Sequence, residues 1–168
     1  MFSEFHWTFL SHGSKLSSFR NHMVEASNSD FAALCTMLDQ YLDEVAGGKK
    51  NREGYLSHNK REDLQAVILA YDALVPVACA GLKYYDDITA EVKRVFVKPE
   101  YRQLGIGESL LWQLENYARK NSFSTLILET GAPLVAAMKL YEKIGYQEID
   151  RYGPYKDLAA SICLQKKL

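Results

Sequence analysis

At Pro99 the hydrophobic period of the chain changes from two residues to about 3.6, and the change runs through a short stretch with two glycines, EYRQLGIGESLL. Upstream, the runs LQAVILAYD, PVACAGLKYY and AEVKRVFV read as strands, separated by the turn-forming stretches Asp72-Ala73-Leu74-Val75 and Asp86-Asp87. Downstream, Ile106, Leu110, Leu111, Leu114, Tyr117 and Ala118 share one helical face, and Arg119 and Lys120 suit the negative end of that helix. TLILET follows as a strand whose apolar centre predicts cover on both faces. Strand, helix and strand in that order imply a right-handed parallel crossover. The chain therefore has to join an antiparallel meander to a parallel β-α-β unit, a mixed α/β arrangement.

The 168 residues suffice for one domain with a sizeable core. Residues 1–17 read as an N-terminal extension. Phe5, Trp7 and Phe9 alternate as on a strand face, but an arm without regular structure carries aromatics equally well. The domain proper takes residues 18–168. It opens with a short strand over residues 19–26, then a helix with Ser29 as the expected N-cap and Phe31, Leu34, Cys35, Leu38, Tyr41, Leu42 and Val45 at helical spacing. Gly47-Gly48 ends that helix, and GGKKNREGYLSHNKRED reads as loop or short helix at the surface, a solvated connection. A second helix starts near Pro133, carries Val135, Met138 and Tyr141, and stops at Gly145. YQEID and SICLQKK supply the last strands, joined by the loop RYGPYKDLAA.

Composition removes several classes of function. A net charge of −1 with a pI near 6.4 gives no basic field to attract nucleic acid. No apolar run is long enough for a membrane span. Cys35, Cys79 and Cys163 are odd in number, widely spaced and set among apolar residues, so they read as buried thiols of a reducing cytoplasm. His6, His12, His22 and His58 show no metal-ligand spacing, and residues 1–17 lack the features of a signal peptide. A cytoplasmic protein without a metal is the expectation.

A glycine pair at a strand-to-helix turn suggests an anion cradle, because backbone N–H groups beside glycine can approach a ligand closely. The dinucleotide fingerprint fails, since Leu110 stands where its third glycine belongs; the P-loop fails, since Glu108-Ser109 follows Gly107. The remaining pattern, Arg102-x-x-Gly105-x-Gly107 after an antiparallel meander, resembles the acyl-CoA pyrophosphate loop of the GNAT superfamily of N-acetyltransferases. A second stretch, AMKLYEKIGYQEI, resembles that superfamily's other recurrent segment through Ala137, Leu140, Tyr141, Gly145 and Tyr146. The asparagine often found near the start of that helix is absent, the turn reading Gly131-Ala132-Pro133-Leu134. The resemblance covers residues 19–168.

The resemblance implies a mixed central sheet with helices on both faces, acetyl-CoA as acyl donor, and a small-molecule or peptide amine as acceptor. It implies that the strands EVKRVFV and TLILET splay, freeing backbone groups near Phe96 and Val97 for the pantetheine arm. The amides of Gln103, Leu104, Gly105, Ile106, Gly107 and Glu108 would hold the pyrophosphate, with Arg102 adding a charged contact. Transfer requires a neutral amine, and an alkyl ammonium of pKa about 10.4 opposes this by about 4–5 kcal/mol at pH 7. Glu91 matches the general base of the histone-type members, and Tyr141 the general acid that protonates the leaving thiolate. Glu129, Thr130, Tyr152 and Tyr155 stand where cofactor or acceptor contacts occur. The fold leaves room for a homodimer through its final strands. Two other functions keep the same sequence features: a non-catalytic acyl-CoA sensor, and a nucleotide-binding α/β domain.

Overall fold

A computed structural model of the chain describes residues 5–9 and 17–168. Eight strands form one sheet in the order β1-β2-β3-β4-β5-β6-β8-β7. The meander is β3 (Leu64–Asp72), β4 (Val75–Asp86) and β5 (Thr89–Val97), extended on its outer side by β2 (Ser17–Val24) and β1 (Phe5–Phe9). Two-residue connections close both meander hairpins, and Ala73 adopts a left-handed φ of 52° in the first. In the second, the Asp86 carboxylate accepts from the Ile88 N–H at 3.0 Å. Strand β5 lies parallel to β6 (Thr125–Gly131), with α3 (Ile106–Lys120) in between, and this is the sheet's one parallel pairing among the described residues. After α4 (Val135–Lys143), β7 (Gln147–Ile149) and β8 (Ser161–Lys167) complete the sheet, β8 pairing antiparallel with β6. Residues 1–4 and 10–16 of the expected N-terminal extension lie outside the described residues; 5–9 pair antiparallel with β2.

Two cores divide along the period of the strands. Ala66, Ile68 and Ala70 of β3 face Ile106, Leu110, Leu111 and Leu114 of α3, together with Tyr141 and Tyr146. The alternate residues Val67 and Leu69 face Phe31, Leu34, Cys35 and Leu38 of α1 (Ser29–Val45), together with Cys79 and Phe96. The three cysteines are free and buried.

Three local expectations are corrected. Asn28, not Ser29, caps α1: its Oδ1 accepts from the N–H groups of Asp30 (2.9 Å) and Phe31 (3.1 Å). Both residue types suit a cap, and the one whose oxygen reaches the second and third amides takes it. Pro133 precedes α4 rather than opening it, Leu134 being the cap. The polar stretch after Gly48 forms a 3-10 turn (Lys49–Arg52) and a short helix α2 (Glu53–Leu56), one of the forms expected, but it is not solvated throughout: Arg52 is buried there. Its guanidinium donates to the Asp39 carbonyl at 2.9 Å and to the Asp43 carboxylate at 2.6 Å, which straps the segment to α1.

Candidate active site

The parallel pairing of β5 and β6 lasts three residues, from Thr89 opposite Thr125 to Glu91 opposite Ile127. Beyond that the strands part. On its other side β5 loses register with β4 between Lys93 and Phe96, where Arg94 adopts φ +58°, so one extra residue bulges toward the gap. The gap is a cleft of about 390 Å³. Its walls are residues 92–95 of β5 and 129–131 of β6, closed by the end of α1, by Asn51, Arg52 and Tyr55, and by Ala137 and Tyr141 of α4. Beyond Glu91 no residue of β5 pairs with β6, so the unpaired edge runs from residue 92 to the strand's end and includes Phe96 and Val97, while residues 92–95 line the cleft. Phe96 packs into the α1 core, and the Val97 carbonyl accepts from Arg102 Nε at 3.1 Å.

Next to this cleft the chain enters α3. Gln103 and Gly105 both take left-handed φ, 63° and 75°, on either side of Leu104, and such alternation turns successive N–H groups toward one side. Gly105 caps α3 without a side-chain hydrogen bond, and the first helical bond runs from Ser109 N–H to Gly105 carbonyl, so the amides of Ile106, Gly107 and Glu108 have no partner within the helix. An anion fits that end. Gly107 has a different reason: a Cβ there would stand 3.1 Å from Leu140 Cδ2, so it is small because α4 packs against it, not because open space surrounds it. Glu108 is ion-paired with Lys143 across the same junction. The Arg102 guanidinium lies 4.7 Å above the Tyr41 ring, pinned between β5 and α1.

The two expected catalytic side chains occupy different surroundings. Tyr141 is buried, stacks edge-on with Tyr146 at 5.8 Å, and lines the cleft; its hydroxyl has no hydrogen-bond partner among the described residues. Burial, helped by the charge of Glu129, holds its phenol above the ordinary value. Glu91 is 6% exposed and does not line the cleft. Its Oε1 accepts from Tyr152 (2.9 Å) and Tyr155 (3.1 Å), and its carboxylate pairs with Lys93 at 3.5 Å. Lys93 also donates to the Tyr155 hydroxyl at 2.6 Å, and burial draws its ammonium below the ordinary lysine value.

Glu129 is the carboxylate that lines the cleft. The Ser161 hydroxyl donates to its Oε1 at 2.8 Å, Tyr55 lies 3.1 Å from that hydroxyl, and burial raises the Glu129 carboxyl above the usual range. The sequence offered Glu129 only as a contact and passed over Lys93, Arg52 and Tyr55. A signal existed for Lys93, two residues after Glu91 and so on the same strand face. None existed for Arg52, whose place depends on a helix thirteen residues earlier.

Comparisons with known proteins find relatives in sequence and in fold. An Azospirillum brasilense protein described as an IAA acetyltransferase is 31% identical over 132 residues, 78% of this chain and 86% of that protein. A Klebsiella pneumoniae structure, a candidate acyl-CoA N-acyltransferase, superposes with a TM-score of 0.74 at 27% identity, covering 89% of this chain and 97% of its own. The fold is shared by the PaiA N-acetyltransferase of Thermoplasma acidophilum, solved with coenzyme A, with a TM-score of 0.66 at 19% identity over 88% of this chain and 99% of its own. Residues 31–146 match the family model described as the Acetyltransferase (GNAT) family, and the chain belongs to that family.

Proposed function

We propose that the protein transfers an acetyl group from acetyl-CoA to a primary amine by direct attack. The observation that carries this is the opening of β5 from β6 after Glu91 and Ile127, with the unpartnered Tyr141 hydroxyl on its wall and the uncapped start of α3 beside it. The site fits the donor: free strand backbone at 92–95 suits an extended amide chain, and the amides of 103–108 suit a pyrophosphate, with Arg102 within the same junction. Acetyl-CoA supplies the thioester carbonyl that the amine attacks and the thiolate that departs.

The chain's own residues then move two protons. Glu129 takes the proton that frees the nitrogen lone pair before the N–C bond forms, and the second N–H proton, lost after attack, replaces the one that the Tyr141 hydroxyl gives to the departing sulfur as the C–S bond breaks. We assign the base to Glu129 because it lines the cleft. Glu91, to which the family resemblance points, remains the second reading, reaching the cleft through Tyr155 and Lys93. The Tyr141 phenol is protonated at neutral pH, as a phenol of ordinary pKa already is, so it is present in the form that donates.

Calorimetric titration with acetyl-CoA, CoA and ATP, together with free-thiol release in the presence of amines, tests the proposal. Binding of acetyl-CoA and CoA but not ATP is expected, with amine-dependent thiol release. Tyr141→Phe should lower kcat by about 10²-fold, within the range for general acid–base residues, and keep acetyl-CoA binding. Binding without thiol release for any amine would leave a sensor module; a preference for ATP would leave a nucleotide-binding domain.

A further inference from the structure

The charges around the cleft do not balance, and the imbalance lies on one residue. Arg94 is paired with Asp39 at 2.9 Å, Arg52 with Asp39 at 3.2 Å and Asp43 at 2.6 Å, and Lys93 with Glu91 at 3.5 Å. Glu129, among the described residues, has no cation within ion-pair distance; the Ser161 hydroxyl is its hydrogen-bond donor. Lys93 is near enough to act on Glu129 electrostatically, but its ammonium is committed to Glu91 and Tyr155. A half-buried carboxylate left without a counter-charge is costly, and a ligand cation removes that cost.

We infer that the acceptor is a small free alkyl amine with no carboxylate next to its amino group, its ammonium pairing with Glu129 before transfer. The inference rests on the acetyl-transfer reading and narrows it. An α-amino acid would bring a second anion to a wall where Arg52, Arg94 and Lys93 are all spent on carboxylates, so the same contact that attracts an amine repels an amino acid. An apolar body has a surface to pack on, because Leu38, Leu42, Val45 and Leu134 line the cleft beside the polar Asn51, Tyr55 and Asn59. A small acceptor suits the cleft, whose volume of about 390 Å³ is at the lower end of ligand sites, which run from about 300 to 1,000 Å³.

The test uses two matched pairs, 3-methylbutylamine with L-leucine and 2-phenylethylamine with L-phenylalanine, each pair differing by one carboxylate. With the full chain and acetyl-CoA, kcat/KM for the amine should exceed that for the amino acid at least about tenfold in each pair. Calorimetry on the protein–CoA complex, where no transfer occurs, should show amine binding weakened about tenfold by Glu129→Gln with CoA binding unchanged. Equal or preferred use of the amino acids overturns the inference, as does amine binding indifferent to Glu129→Gln. No turnover of either amine by protein that binds acetyl-CoA also overturns it, and leaves the donor site standing. Failure to bind acetyl-CoA would remove the transferase reading itself.

Discussion

Glu129 and Lys93 show what burial does to opposite charges within one site. The carboxyl is pushed up and the ammonium is pulled down, each toward its neutral form. The direction fixes a pH signature. Glu129 acts as base only when ionised, so the acid limb of kcat/KM should lie above the ordinary glutamate value of about 4.3. Glu129→Gln should lose that limb and lower kcat/KM by about 10²–10⁴-fold, while Glu91→Gln should keep the limb in place. A pH profile of both variants with one amine checks this, and a limb lost in Glu91→Gln alone would return the base to Glu91. Tyr141 was legible in the sequence because its neighbours Ala137, Leu140, Gly145 and Tyr146 travel with it. The unbalanced charge on Glu129 was not, because it depends on which cations other segments bring and commit elsewhere.

At the scale of elements, the bulge in β5 and the strap over the cleft share one carboxylate. Asp39 on α1 receives both Nη atoms of Arg94 at 2.9 Å and Nη2 of Arg52 at 3.2 Å. Burial would raise its carboxyl, but the two guanidinium groups outweigh this and hold it below the usual range. Asp39→Asn would leave Arg94, 5% exposed, short of its counter-charge, while Arg52, 7% exposed, would keep Asp43. The loss of stability should be about 2 kcal/mol, discounted from the ~3–5 of a fully buried pair because Asp39 itself is 41% exposed. Since the folded pKa is depressed, the wild-type contribution is complete above the unfolded carboxylate value and fades as the pH falls through the folded one. Urea unfolding of both proteins at pH 7 and at acid pH should show the difference shrinking at low pH. The helices α1 and α3 were legible because their apolar residues repeat with the helical period, and the strands because theirs alternate. The strap at residues 49–56 has no period to read: Lys49, Lys50, Asn51 and Arg52 have the composition of a solvated turn, and a contact across the chain buries one of them.

The whole molecule places its cleft where the topology changes. Strands β1 to β5 are antiparallel neighbours in chain order, and β5 must then feed a crossover helix that returns a parallel partner, β6. A right-handed twist accumulates across such a sheet, and three paired residues are what β5 and β6 share before they part. The sequence made this junction legible through the change of period at Pro99, but not its extent, since the length of pairing follows from the bulge at Arg94 and the cover from α1. Unpaired strand backbone in the middle of a sheet is a local deficit of hydrogen bonds that a ligand can fill from both sides, with the free amides at the start of α3 at one end. Binding there should therefore stabilise the fold as a unit, not only tighten one loop. At a donor concentration one hundred times its Kd, linkage gives about 2.7 kcal/mol, which for a chain of this size is a rise in Tm of about 5–10 °C. Thermal unfolding should show that rise with acetyl-CoA and with CoA, and none with ATP at the same concentration. Glu129→Gln should show the rise undiminished, since Glu129 is assigned to the acceptor and not to the donor. A variant that lost the shift with CoA would place Glu129 in the donor site, and the charge argument for the acceptor would fall with it.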